Sequence, residues 1–371
     1  MNIDGEPGKV PQEELVNASD TVAPSAIPSA MTEAGHFRFQ ASLHGLRGLA
    51  VLYVVASHLG NVGFSLMPLP LDAIGKVGVW IFFSLSAYLL TSRLVERVRV
   101  GPVRGEVLSY AVHRIFRIYP LYILVLLAHV AAGDMTWLVM GRHMLLVAGQ
   151  AELWAIPTEF QYYLFIPILV LLPRRAGIVI ALVAAAGSMA YALVHPEAVT
   201  RSAIPILPKA VPFLTASAVA LFAPQCRRNG LLAVVALIGL VASSVAFREV
   251  ALHGSLTRWM PWVSLSISLS VAGLMVGLQG PGWLTRLFGM RWLVWIGEIS
   301  FGVYLLHLFV LRVLTPLALP AFMMGWLVLG ASIAVASVTY LAVERPGIRM
   351  GKAIGGRLIC WSRNTQDVAT P

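Results

Sequence analysis

From residue 43 to residue 343 the chain is a close succession of apolar runs, each near the length of one bilayer crossing. Residues 43–62, 75–95, 116–133, 157–173, 176–194, 204–223, 230–247, 260–279, 293–312 and 321–343 are ten candidate spans. A hydrocarbon layer about 30 Å thick takes about 20 helical residues. Inside lipid the backbone must satisfy its own hydrogen bonds, which leaves helices or closed barrels, and runs of this length without period-two alternation select helices. The expected fold is therefore all-α: a polytopic membrane protein of about ten transmembrane helices. Composition agrees, with 58% hydrophobic and 12% charged residues, about half the charge of a soluble domain. An ordinary soluble enzyme is excluded. Residues 136–150 are also apolar but short, and they carry Arg142 and His143, so they read as a re-entrant or interfacial piece.

Charge orients these spans. With the N-terminus inside, the connection 93–117 carries six arginines. Arg174 and Arg175, Arg227 and Arg228, Arg286 and Arg291, and five basic residues after position 344 follow on the same side. The opposite turns carry only Lys76, Arg142, Arg201, Arg248 and Arg258. By the positive-inside rule both termini are expected in the cytoplasm, with the protein multi-pass in the inner cell membrane. The organisation read from this is a disordered cytoplasmic tail (1–40), a transmembrane domain (41–346) and a basic cytoplasmic C-terminal tail (347–371). Residues 1–40 lack the basic start and apolar centre of a signal peptide. The net charge of +10 sits in short connections between apolar runs, so it speaks for topology and anionic lipid rather than nucleic acid. Cys226 and Cys360 both fall on the expected cytoplasmic side, where thiols stay reduced, and two thiols offer no metal spacing.

Within the apolar runs a few polar residues stand out. Arg47 and His58 are eleven residues apart in HGLRGLAVLYVVASHL (44–59). Eleven helical residues turn through about 1100°, which puts both side chains on nearly one face, ~16 Å apart along the axis. A cation and an imidazole on one membrane helix are costly and point to function. The topology places His58, Glu159 in LWAIPTEFQYYLFIP (153–167), His307 in IGEISFGVYLLHLF (296–309) and Trp80 in the outer half, with Ser84 and Ser86 near the middle. Arg47, Arg93, Arg114 and Arg117 gather at the inner face. Arg114 and Arg117 share a helix face at i, i+3, and forked guanidiniums suit phosphate. Blander roles exist for several of these: topology anchors for Arg114 and Arg117, a packing role for His307, Ser84, Ser86, Gly45 and Gly48, and an interfacial role for Trp80. Glu152, at a span boundary, reads as a solvated charge.

The segments taken together resemble the acyltransferase-3 family of integral membrane O-acyltransferases, over residues 43–346. Arg47 and His58 are similar to the family's arginine, ten residues, histidine signature. GVWIFFSLSAYLL (78–90) resembles GVDxFFxLSGFL, HRIFRIYPLY (113–122) resembles the arginine pair before RIxPxY, and LWAIPTEFQYYL (153–164) resembles LWSLxxExQFYL. ISFGVYLLH (299–307) and VERP (343–346) resemble the ninth-span and closing elements. The chain departs from the pattern at His44, Trp80, Ala87 and Phe160, where Asp, Asp, Gly and Glu are frequent.

The resemblance implies an acyl-CoA donor, acetyl-CoA by default, and an acceptor hydroxyl on a cell-surface glycan, polysaccharide or related molecule. On that footing Arg47, Arg93, Arg114 and Arg117 are expected to hold the donor's phosphates. His58 is the expected general base, with an acyl-histidine intermediate the competing chemistry. Glu159 would orient or charge-stabilise His58, or bind the acceptor. Ser84 or Ser86 would donate to the oxyanion, and Trp80, Tyr163 and His307 would line the substrate site. The competing class is a multi-span transporter or glycolipid flippase without chemistry, which has no direct support from an internal repeat. A non-catalytic scaffold is the third reading.

Overall fold

The computed structural model describes residues 27–67, 71–201, 207–222 and 230–369, and among them all regular structure is helical. The elements are α1 (Ile27–Asn61), α2 (Gly75–Val100), α3 (Val103–Ala131), α4 (Trp137–Met144), α5 (Ala155–Leu171), α6 (Arg174–Val194), α7 (Pro196–Thr200), α8 (Val211–Phe222), α9 (Gly230–Leu252), α10 (Met260–Gly277), α11 (Trp283–Phe288), α12 (Arg291–Glu298), α13 (Ser300–Leu314), α14 (Ala321–Thr339) and α15 (Arg345–Ala369). Nine stretches among the described residues are helical, long and apolar enough to cross a membrane, and α8 is a shorter apolar helix. The protein is an all-α polytopic membrane protein.

α1 is the central strut. It packs along α2, α12 and α11, and α2 in turn carries α8 and α5 on its other side. The glycines flanking Arg47 make the α1–α12 crossing close. A Cβ on Gly45 or Gly48 would run into the backbone carbonyls of Phe288 and Leu293, and one on Gly297 would strike the His44 carbonyl. Small residues at a helix crossing are the means by which backbones approach in lipid, where no hydrophobic drive pulls helices together. α8 has only 12 residues, too short at ~1.5 Å per residue to cross alone. It is enclosed by α2, α6 and α10 instead, and Arg174 at the start of α6 donates to the Leu221 and Phe222 carbonyls at its end.

Five elements differ from the sequence expectation. The connection 93–117, read as a basic loop, is a helical hairpin: α2 runs to Val100, α3 starts at Val103, and only Gly101 and Pro102 intervene. Arginine is a good helix former whose long stem lets the charge reach past the apolar layer, so a run of arginines did not end the helices. The span expected at 293–312 is broken at Ile299 into α12 and α13. The span expected at 204–223 begins only at Val211, which leaves Lys209 in a separate turn (Leu207–Lys209). The C-terminal segment 347–371, read as a tail, is helical to Ala369 and packs on α3. Its Gly347, Gly351 and Gly355 repeat every four residues against α3, where added Cβ atoms would lie 2.7 Å from the Phe116 carbonyl, 2.9 Å from the Phe116 Cβ and 2.5 Å from the Ser109 hydroxyl. At the other end, α1 begins at Ile27, within the segment read as a tail, while residues 1–26, Cys226, Arg227 and Arg228 lie outside the described residues. The interfacial piece expected at 136–150 contains the eight-residue α4 with Trp137 and Leu138 exposed.

The start of α1, the α2–α3 hairpin and α15 meet at one end of the bundle, here termed the basic end. The end of α1 and the start of α2 mark the far end.

Candidate active site

Three cavities lie in sequence along α1 from the basic end to the far end. The first, about 570 Å³, is walled by Arg47 of α1, Arg93 and Arg97 of α2, Arg114 and Arg117 of α3, and Lys352 of α15, with Glu106 and Glu298 the carboxylates on its lining. The α2–α3 hairpin is what brings these cations together, because both helices continue past the apolar layer.

The two arginines at i, i+3 have separate roles. Arg117 donates to Glu344 at 2.6 Å and to the Glu298 carbonyl at 3.4 Å, and the Glu344 side chain is fully buried. Glu344 sits in a π-helical turn, Tyr340–Glu344, between α14 and α15, the kind of local underwinding that recurs at functional positions. Arg114 has no carboxylate partner among the described residues. Its guanidinium lies 6.0 Å from the Tyr163 ring centroid, and its Nε is buried without a hydrogen-bond partner. Arg93 donates to Gln40 at 3.1 Å.

The second cavity is a waist of about 50 Å³ lined by Arg47, Phe82, Phe83, Ser86, Glu159 and Tyr304, among others. Arg47 belongs to both the first cavity and the waist. Its Nε is also buried without a partner, and its guanidinium stands 6.0 Å from the Phe82 ring. Glu159 accepts a 2.5 Å hydrogen bond from the Tyr163 hydroxyl. It does not line the cavity that holds His58, so it lies deeper than expected. The reason is local: a 3₁₀ turn at Ala151–Trp154 precedes α5, and this turn takes the position near the far end.

The third cavity, about 480 Å³, is lined by His58, Lys76, Glu152, Trp154 and Tyr304, among others, and shares Val79 and Tyr304 with the waist. His58 Nδ1 lies 2.9 Å from His307 Nε2. His307 Nδ1 lies 2.7 Å from the Tyr304 carbonyl and 3.2 Å from the Val303 carbonyl. A carbonyl only accepts, so His307 carries its proton on Nδ1 and presents a lone pair at Nε2. His58 must then donate from Nδ1, which leaves His58 Nε2 as a lone pair on a ring that lines the cavity. Fixing one ring nitrogen to set the other's protonation is how an imidazole is prepared as a base.

The remaining expected residues divide. Ser86 reaches the waist and Tyr163 supports Glu159 there. His307 stands behind His58, 1% exposed. Trp80 and Ser84 line none of these cavities. Trp80 is fully buried with its ring edge-on to Phe247 at 5.2 Å, and Ser84 donates to the Pro212 carbonyl at 3.0 Å, tying α2 to α8. Lys76, Glu152, Tyr304, Glu344 and Lys352 were not singled out from sequence. Lys76 looked like a loop charge, Glu152 a boundary charge and Lys352 a tail charge. Only Glu344, through VERP, and Tyr304, through ISFGVYLLH, carried a signal. Among the described residues no group of three or more His, Cys, Asp or Glu gathers as a metal site would require.

A family model described as an acyltransferase domain, acyltransferase 3, matches residues 40–343. The chain belongs to the acyltransferase-3 family. This acyltransferase is therefore a multi-pass membrane enzyme that transfers acyl groups other than amino-acyl groups. No curated protein and no solved structure matches it. The matched segment includes every cavity-lining residue named above except Lys352, and it ends one residue before Glu344.

Proposed function

We propose that this acyltransferase draws an acyl-CoA, acetyl-CoA in the first instance, into the basic-end cavity and passes its acyl group to a hydroxyl presented at the far end. The acceptor class is a cell-surface glycan, polysaccharide or related hydroxyl-bearing molecule. With the basic end facing the cytoplasm of an inner membrane, both termini are cytoplasmic and the acceptor is met outside. The single observation that carries the reading is the row of three cavities, joined through Arg47 at one step and through Val79 and Tyr304 at the next.

The chemistry follows from the side chains. Coenzyme A is multiply anionic, and six cations against two carboxylates on one wall favour its phosphates. Arg114 is the guanidinium freest to take one, because Arg117 is committed to Glu344. The pantetheine arm is thin enough for the waist, past Arg47 and Glu159, and the ~16 Å from Arg47 to His58 suits its length. At the far end His58 Nε2 removes the acceptor hydroxyl proton as its oxygen attacks the thioester carbonyl. The tetrahedral intermediate collapses with cleavage of the C–S bond, and the coenzyme A thiolate takes the proton from His58. Lys76 lines the same cavity as His58 and is the cation placed to meet the developing oxyanion, a role that Ser84 cannot fill from its bond to Pro212. His307 acts through His58 as a positioning residue. Glu159 sits too deep for that task and instead serves the passage beside Arg47.

The test is thioester consumption. Purified protein with acetyl-CoA and an envelope glycan fraction should release free coenzyme A thiol in step with glycan acylation. Thiol release that never accompanies an acylated product would overturn the acceptor assignment, and none at all would overturn the donor.

A further inference from the structure

A fourth cavity, about 260 Å³, adjoins the far-end cavity, and Glu152 and Leu308 line both. Glu152 is not the solvated boundary charge its position in the sequence implies. It is 5% exposed, and the Tyr304 hydroxyl fixes its main chain by donating to the Glu152 carbonyl at 2.7 Å. Its side-chain Oε1 is buried with no hydrogen-bond partner. His129 Nε2 lies 3.9 Å away, beyond hydrogen-bond reach, and that nitrogen is also buried and unpartnered. The other face of this imidazole is engaged: His129 Nδ1 lies 3.4 Å from Asp134. Asp134 is in turn paired with Arg312, whose guanidinium holds the aspartate carboxyl below the usual carboxylate range. Glu152 Oε1 and His129 Nε2 thus stand side by side, each without a hydrogen-bond partner. An unmet buried polar atom costs about 1–3 kcal/mol, so such a pair persists where a ligand supplies the missing hydrogen bonds.

Adjacent hydroxyls on a sugar ring both donate and accept, and they stand at about this spacing. We propose that Glu152 and His129 form a second acceptor subsite, which holds neighbouring hydroxyls of the sugar unit next to the one being acylated. The inference rests on the acyl-transfer reading above and deepens it: the acceptor is an oligosaccharide or larger glycan, with one unit at His58 and the next in the fourth cavity. Glu152, on the wall common to both cavities, sets the register between the units, and Tyr304 links that wall to the His58–His307 pair.

The test uses the full-length enzyme in nanodiscs, radiolabelled acetyl-CoA and the glycan and glycolipid fraction extracted from the source cell's envelope. Incorporation is followed against extract concentration and, separately, against acetyl-CoA. Glu152→Gln and His129→Gln should each raise the half-saturating extract concentration about tenfold, while the half-saturating acetyl-CoA concentration stays that of the wild type. The double variant should fall short of the product of the two single effects, because both residues serve one ligand. An unaltered extract dependence in both variants, or a rise in half-saturating acetyl-CoA that keeps pace with it, would overturn the second subsite while leaving the acyltransfer reading intact. A wild-type enzyme that labels nothing in the extract would overturn the acyltransfer reading itself, and this inference with it.

Discussion

The basic-end cavity draws six cationic side chains from four helices, whereas the far-end cavity holds one imidazole backed by a second, one lysine and one buried carboxylate. At the basic end charge is redundant, and each arginine adds to a field the others also supply. At the far end no polar group has a duplicate: there is one imidazole pair, one lysine and one carboxylate. A binding site for a polyanion tolerates loss of one contact, while a proton-transfer site does not.

His58→Ala should break that contrast most sharply. Removing a general base costs about 10²–10⁴-fold in rate, so transfer should fall by about 10³-fold with the acetyl-CoA dissociation constant unmoved and the protein still in the membrane fraction. His307→Ala comes next. It leaves His58 without the partner that sets its tautomer, and kcat should drop by roughly 10²-fold with KM for acetyl-CoA unchanged; a rise in KM of similar size would instead mean that His307 shapes the donor path. Glu344→Gln tests the one place where the basic end is not redundant. The Arg117–Glu344 pair is buried on the glutamate side and partly exposed on the arginine side, so its loss should destabilise the protein by about 2 kcal/mol, read as a lower melting temperature in detergent.

Smaller effects sharpen the comparison. Arg114→Ala should raise KM for acetyl-CoA by about tenfold, in line with one charge-assisted contact, and the defect should shrink with added salt, which screens the same contact in the wild type. An unchanged KM would remove Arg114 from the phosphate site. Trp80→Phe should be the mildest, within about twofold in kcat and in both KM values, because the indole lies in packing and its N–H is already unpartnered there. A large loss on that change would return Trp80 to the acceptor site.

Much of this was legible in the sequence, for a physical reason. Hydropathy over a bilayer-length window reports whether a helix can sit in lipid, so the spans of α2, α6, α9 and α14 stand close to where they were expected. Helical periodicity put Arg47 and His58 on one face, and in the structure they line neighbouring cavities along α1. Features that depend on a few backbone torsions were not legible. The 3₁₀ turn before α5 changes the depth of Glu159 and buries Glu152. The break at Ile299 divides one apolar run into two helices. Two residues, Gly101 and Pro102, turn a basic loop into a helical hairpin. In each case a window average passes over the residues that decide where a polar side chain ends up.

The waist has a consequence of its own. Its free volume is about 50 Å³, far below the cavities on either side, and Phe82, Phe83 and Phe301 wall it together with Arg47 and Glu159. A neck that narrow, with a guanidinium in its wall, opposes the passage of hydrated cations. On the proposed reading, an enzyme that hands a chemical group from one side of a bilayer to the other would otherwise short-circuit the gradients its cell maintains. The neck should then let a slender thioester arm through and hold back hydrated cations, so that the membrane keeps its voltage between turnovers.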